Sequence, residues 1–161
     1  FSPYYAGYVA RVPDGDVVET LRSQVDATMA LARSLAEEKG GHRYAPGKWS
    51  IREVLGHMAD TERIMAYRAL RVARGDATPL PGFDENLYVE NARFDDRTLS
   101  SLADDLAIAR QSTIALLAPL GDDELGRVGS ANGAPITARA LAWIIAGHER
   151  HHLAILRERY L

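Results

Sequence analysis

The chain contains no cysteine. Disulfides, thiolate metal sites and cysteine nucleophiles are therefore excluded, and any metal has to be held by nitrogen and oxygen. The absence fits a reducing compartment, and a cytoplasmic protein is the expectation. Long apolar runs are also missing. The longest, near Ala138–Ala146, is too short and too interrupted to span a bilayer, so no membrane partner is expected, and no signal peptide is visible. Nor is there an excess of basic charge. Nineteen basic against 22 acidic residues leave a net charge of −3, and no basic stripe interleaves with aromatics, so no nucleic-acid partner is expected. What is present is ordinary for a soluble globular protein: 161 residues, 47% hydrophobic and 25% charged. Such a chain suits one domain over residues 1–161, burying roughly two thirds of its unfolded surface without disulfide or structural metal.

Periodicity predicts helices nearly throughout. The first runs from about Val17 to Glu38, capped by Asp14 or Asp16 and ended by Gly40 and Gly41. A loop with Pro46 and Gly47 follows. The second helix starts at Ser50, where Ser50 and Glu53 form an S-x-x-E capping box. Its stripe reads Ile51, Val54, Leu55, Met58, Ile64, Met65, Leu70 and Val72, and it ends near Arg74. A long connection from Gly75 to about Arg97 carries Pro79, Pro81 and Gly82, with room for a short helix in FDENLYVENARF. The third helix spans about Thr98–Ala118, stopped by Pro119 and Gly121. The segment GDDELGRVGSANGAPIT reads as turns with one helical turn at Asp122–Leu125, and a fourth long helix covers about Thr137–Arg159. Four long amphipathic helices imply an all-α fold, a four-helix bundle whose long second connection permits departure from simple up-down order.

Three histidines stand out. His148 and His152 lie four residues apart in GHERHHLAIL, so both rings project from one helical face. Leu141, Ile145 and Ile155 share that face. Imidazoles aimed into a core need partners or a metal, because unpaired buried nitrogens cost roughly 1–3 kcal/mol each. A third imidazole from a neighbouring helix, His57, would complete a three-nitrogen site with open positions. His151 lies off the seam and is a flanking residue or one that backs the ligands. Glu149 points roughly 100° from His148 and is a candidate to line the pocket or to back the ligands. Thr61 sits one turn below His57 on the same face. Asp60 and Glu62 are acceptors for an imidazole N–H or, by default, solvated charges. Asn86 and Tyr88 in the long connection are candidates to line a pocket, since long loops commonly close sites. Trp49 and Trp143 read as core anchors, and His42 as exposed. Phe1, Tyr4, Tyr5 and Tyr8 are placed to pack across the bundle or against another subunit.

Residues 47–63, GKWSIREVLGHMADTER, resemble the start of the second helix in the DinB/YfiT-like superfamily, with Trp49, Ser50 and His57 in the family's Trp-Ser and histidine positions. The late H-x-x-x-H of that family is matched by His148 and His152, and FDENLYVENARFDD is similar to a subset of its members. The resemblance covers nearly the whole chain. It implies a four-helix bundle with a three-histidine site for a divalent metal, zinc or nickel, and a homodimer. It also implies a metal-dependent enzyme, a thiol S-transferase or hydrolase, acting on a small molecule with a low-molecular-weight thiol such as bacillithiol, mycothiol or glutathione.

Two alternatives accompany that expectation: a non-catalytic metal-binding or stress-response protein of the same fold, and a bundle whose histidines only pair with carboxylates or carbonyls. Catalytic residues beyond the metal site are not assigned. Arg52, Arg63 and Arg150 are the arginines expected to meet substrate carboxylates.

Overall fold

A computed structural model describes residues 1–161. The elements in chain order are α1 (Ala6–Val9), α2 (Val17–Ser34), α3 (Ile51–Ala73), α4 (Glu85–Ala92), α5 (Leu99–Leu117), α6 (Asp122–Gly126), β1 (Val128–Ala131), β2 (Ala134–Thr137) and α7 (Ala138–Ile155). The four long helices α2, α3, α5 and α7 form a four-helix bundle. Helix α3 packs against α5 and α7, and α2 packs against the same two, so the successive pairs α2/α3 and α5/α7 sit on diagonals while α3 and α5 are neighbours. Helices α3 and α5 run in the same direction, and α2 and α7 run opposite to them. Two parallel helices in succession need a connection as long as the bundle, which is why residues 74–98 are long and carry α4. No helix is long and apolar enough to cross a membrane.

Local chemistry sets the helix ends. Asp16 accepts from the amides of Val18 and Glu19 at the start of α2. The Ser50–Glu53 capping box forms in full at α3, Thr98 caps α5, and Thr137 caps α7. The first long helix stops at Ser34, four residues before the expected Glu38. Leu35 turns to an extended conformation, and a 3-10 turn over Glu37–Gly41 lets the Glu37 carboxylate accept from the amides of Leu99 and Ser100 at the start of α5. At the other end of the chain α7 gives way at Leu156 to a wider π turn, which brings the Tyr160 hydroxyl 2.6 Å from the Trp49 carbonyl it donates to.

The segment expected to be turns is a β-hairpin. Strands β1 and β2 pair antiparallel around Asn132 and Gly133, both with positive φ (50° and 73°). That is the Asn-Gly type I′ geometry whose twist matches paired strands. Leu80 donates to Ser130 O and accepts from Asn132 N at 2.9 Å each, bridging to the edge of β1 and tying the long connection to the hairpin.

The apolar core has two halves. One gathers Leu21, Met65, Val72, Leu141 and Ile144 near the hairpin, and the other gathers Ile51, Leu55, Met58, Leu99, Leu102, Leu106 and Leu156 at the far end. Between them the four helices contribute a belt of buried polar side chains: Gln24 and Thr28, His57, Thr61 and Glu62, Arg110 and Thr113, and His148, Glu149 and His152.

Candidate metal centre

The histidines of the belt come from two antiparallel helices, α3 and α7. His57, His148 and His152 are 6–8% exposed. The Nε2 atoms of His57 and His152 each lie 3.1 Å from Nε2 of His148, and a ligand atom of every ring lies within 4.8 Å of the others. Burial holds His57 down to about 4, and pushes His148 and His152 well below the ordinary imidazole value, with mutual repulsion adding to the burial. All three are therefore neutral near pH 7 and carry a free lone pair.

A neutral ring nitrogen makes one in-plane hydrogen bond, either as donor or as acceptor. His148 Nε2 faces two neighbours at 3.1 Å, so protons alone satisfy only one of its two contacts. A tetrahedral ion with metal–nitrogen bonds of about 2.05 Å would set its ligands about 3.3 Å apart. The donor set thus fits one divalent ion bound through three Nε2 atoms.

The surroundings are aromatic on two sides. The Trp49 ring lies 4.6 Å from His57 and 6.5 Å from His152, centroid to centroid. It is half-buried, packed against the far half of the core as well as the imidazoles. Tyr8, from the strap formed by α1 and the turn before it, meets His148 and His151 edge-on at 5.5 and 5.2 Å. The strap reaches them because residue 147 is glycine: a Cβ there would overlap the Tyr8 carbonyl. Burial and the neighbouring Tyr4 push the Tyr8 phenol up to about 12, so it stays protonated.

Two of the three rings, His57 and His148, border a cavity of about 120 Å³, and His152 faces a separate groove beside Trp49. His57, Thr61 and Arg68 line it from α3, His148 from α7, Tyr4, Tyr5 and Tyr8 from the strap, Phe83 and Glu85 from the long connection, and Asn132 from the hairpin tip. The Thr61 hydroxyl is buried there without a hydrogen-bond partner. Asn86 and Tyr88 do not line this cavity. Asn86 is exposed on a separate groove beside Trp49 and His152, and Tyr88 is 45% exposed against Phe83. Both are exposed on α4, whereas Glu85 at its start lines the cavity.

Behind His148 a second cavity of about 10 Å³, near the size of one water, separates it from Glu62 and Glu149. Both glutamates are buried, against the expectation that Glu62 is solvated. Arg110, 0% exposed, donates to both carboxylate oxygens of Glu62 at 2.6 and 2.9 Å, to Glu149 at 2.8 Å and to the Leu21 carbonyl at 2.9 Å. Thr28 donates to the other Glu149 oxygen. Burial still raises Glu62 above the usual carboxylate range. Of the arginines expected at the site, Arg52 pairs with Glu37 and Arg63 with Asp60 and Asp105, while Arg150 is half-buried away from the cavity. Arg68 and Arg110 take the inward positions instead. Both follow apolar stripe residues at three or four positions, Met65 and Leu106, a spacing legible in the sequence.

The DinB superfamily profile matches residues 20–156. The chain belongs to the DinB superfamily. A protein of Oceanobacillus iheyensis, provisionally named a metal-dependent hydrolase, is 27% identical over 145 residues, covering 87% of this chain and 79% of its own length. Among solved structures, YfiT from Bacillus subtilis, described as a probable metal-dependent hydrolase with an unusual four-helix bundle topology, superposes with a TM-score of 0.79 at 20% identity, over 91% of this chain and 90% of that one. A mycothiol-dependent maleylpyruvate isomerase superposes with a TM-score of 0.69 at 14% identity, over 90% of this chain and 61% of that one. At such identities the structural matches speak for the DinB fold alone. They match the four-helix bundle, and the metal-dependent naming of the hydrolase relatives accords with a divalent metal at the three-histidine cluster.

Proposed function

We propose that this DinB-superfamily chain is a metal-dependent enzyme in which His57, His148 and His152 hold one divalent ion, zinc or nickel, and that it acts on a small molecule as a thiol S-transferase or hydrolase. The observation that carries the reading is the convergence of three buried, neutral imidazoles, two of which, His57 and His148, line a cavity. Three protein ligands leave a position open, the arrangement of catalytic rather than structural sites. When bound, the ion supplies Lewis-acid chemistry, acidifying water or a thiol that enters the open position.

The chain's own groups divide the remaining tasks. The partnerless Thr61 hydroxyl offers a donor and an acceptor beside His57. Tyr8, protonated and packed on His148, supports that ring and narrows access for water. Glu85 is the one carboxylate lining the cavity and is the group available to take a proton there, because Glu62 and Glu149 are committed to Arg110. The names of the hydrolase relative and of the mycothiol-dependent isomerase support a small-molecule substrate and leave water or a low-molecular-weight thiol as the nucleophile. A cytoplasmic location and a homodimer belong to the same proposal. Exposed Tyr67, Leu70 and Ile108 in a groove between α3 and α5 support the dimer, which sedimentation velocity measures.

The decisive experiment is elemental analysis of untagged protein beside the His57→Ala, His148→Ala, His152→Ala variant. About one metal per chain in the wild type, and none in the variant, is the result expected from three ligands on one ion. A wild type that takes up neither zinc nor nickel would sink the proposal. With the metal established, thiol–electrophile and ester substrates assayed side by side separate transferase from hydrolase.

A further inference from the structure

Arg110 is buried with two carboxylates around it, and Arg68 is buried with none. Arg68 is 3% exposed, and no Asp or Glu oxygen lies within 4.0 Å of its guanidinium. It donates to the Pro81 carbonyl at 2.6 Å, lies 3.6 Å from the Met65 sulfur, and sits 5.7 Å from the Phe83 ring centre. A guanidinium has five N–H donors and a charge that it cannot shed. One carbonyl, a weak thioether and a ring leave most of that capacity unused, and a lone buried charge is among the costliest groups a protein can keep. The complement it lacks is an anion.

Position says where that anion belongs. Thr61, Met65 and Arg68 follow His57 by 4, 8 and 11 residues on α3, which places them along one helical face. The contact to Met65, three residues earlier, shows the side chain leaning toward the helix start and thus toward the histidines. His57, Thr61, Met65 and Arg68 all line the 120 Å³ cavity. The cavity's other walls are largely aromatic, and apolar cavities of about 150 Å³ accept a benzene ring. Glu85, the cavity's one acid, makes no ion pair with Arg68.

We infer that Arg68 is the anion anchor of this site. The substrate is a small molecule bearing an oxyanion, a carboxylate or a phosphate ester. Its anionic end meets the fork of Arg68, and its reacting end faces the histidines. The reacting end rests on the metalloenzyme reading above, whereas the anion contact needs no metal.

The test is isothermal titration of the full chain, metal-free and zinc-loaded, with benzoate, phenyl phosphate and neutral benzamide, using wild type, Arg68→Met and Arg68→Lys. In the metal-free wild type at least one of the two anions should bind roughly tenfold tighter than benzamide, the worth of a charge-assisted hydrogen bond, and the tighter anion names the oxyanion. Arg68→Met should erase that preference. Arg68→Lys, which keeps the charge but not the planar fork, should keep part of it, and zinc stoichiometry should be the same in all three proteins. If Arg68→Met fails to fold, weakened discrimination in folded Arg68→Lys serves as the supporting result and undiminished discrimination as the overturning one. An anion preference that needs zinc and survives Arg68→Met places the anion on the metal, overturning the assignment while leaving the metal reading intact. Equal binding of anions and amide, or binding of none of the three, also overturns it. An Arg68-dependent preference in a protein that never takes up zinc keeps the anchor and removes the metal reading alone.

Discussion

Two buried polar clusters share the belt of this bundle, and they are built on opposite plans. Glu62, Arg110 and Glu149 complete one another: every guanidinium edge meets a carboxylate or a carbonyl, and Thr28 adds a further bond. His57, His148 and His152 do not, because three nitrogens meet with too few protons to pair them. The same two helices supply both, with His57 and Glu62 on α3 and His148 and Glu149 adjacent on α7. The closed cluster holds the helices together without any guest. The open one keeps a place for a guest, at a cost in stability while that place is unfilled.

The largest effect that would break the comparison comes from the closed cluster. Arg110→Met leaves two buried carboxylates facing each other, and should lower unfolding free energy in urea by about 3–5 kcal/mol. Adding Glu62→Gln and Glu149→Gln should recover most of it, since uncharged amides need no counter-ion. A small loss from Arg110→Met alone would mean that the cluster is not closed.

Acid should act on the open cluster. The imidazoles are neutral in the fold but protonate near 6.5 when unfolded, so their contribution is intact above that pH and drains away as pH falls. For His57, held at about 4, the loss between pH 6.5 and 4 in metal-free protein is on the order of 3 kcal/mol. Urea titrations across this window should show it, and His57→Gln should flatten the slope.

Zinc should convert the open cluster into a closed one. At a hundredfold excess over its dissociation constant it should add about 2.7 kcal/mol to the wild type and nothing to His148→Ala, as read from denaturation midpoints. The smallest effect compares two hydroxyls. Thr28→Val removes a partner of buried Glu149 and should cost about 1–3 kcal/mol. Thr61→Val removes a hydroxyl with no partner and should leave metal-free stability within about 0.5 kcal/mol.

Much of this was legible in the sequence, for identifiable reasons. Helix periodicity and caps located all four long helices, because each buries one apolar stripe. The spacing of His148 and His152 put two rings on one face, and the structure brings His57 to them. The hairpin went unread although Asn132-Gly133 is a strong turn signal, because strands of four residues carry almost no periodicity of their own. Glu62, Arg68 and Arg110 went unread because a charge on an apolar stripe reads as a solvated edge until its partner on another helix is known. Arg110 and Glu149 are separated by 39 residues, and no local pattern pairs them.

The strap touches α7 at Gly147 through the Tyr8 backbone, not through a side chain. Its approach at that point therefore depends on residue 147 rather than on a strap side chain, while Tyr5 and Tyr8 also pack on the core and form one wall of the cavity. The wall is a replaceable panel on a fixed frame. Randomising positions 4, 5 and 8 would reshape what the cavity admits with the histidines left in place, whereas any side chain at position 147 would lift the whole panel away.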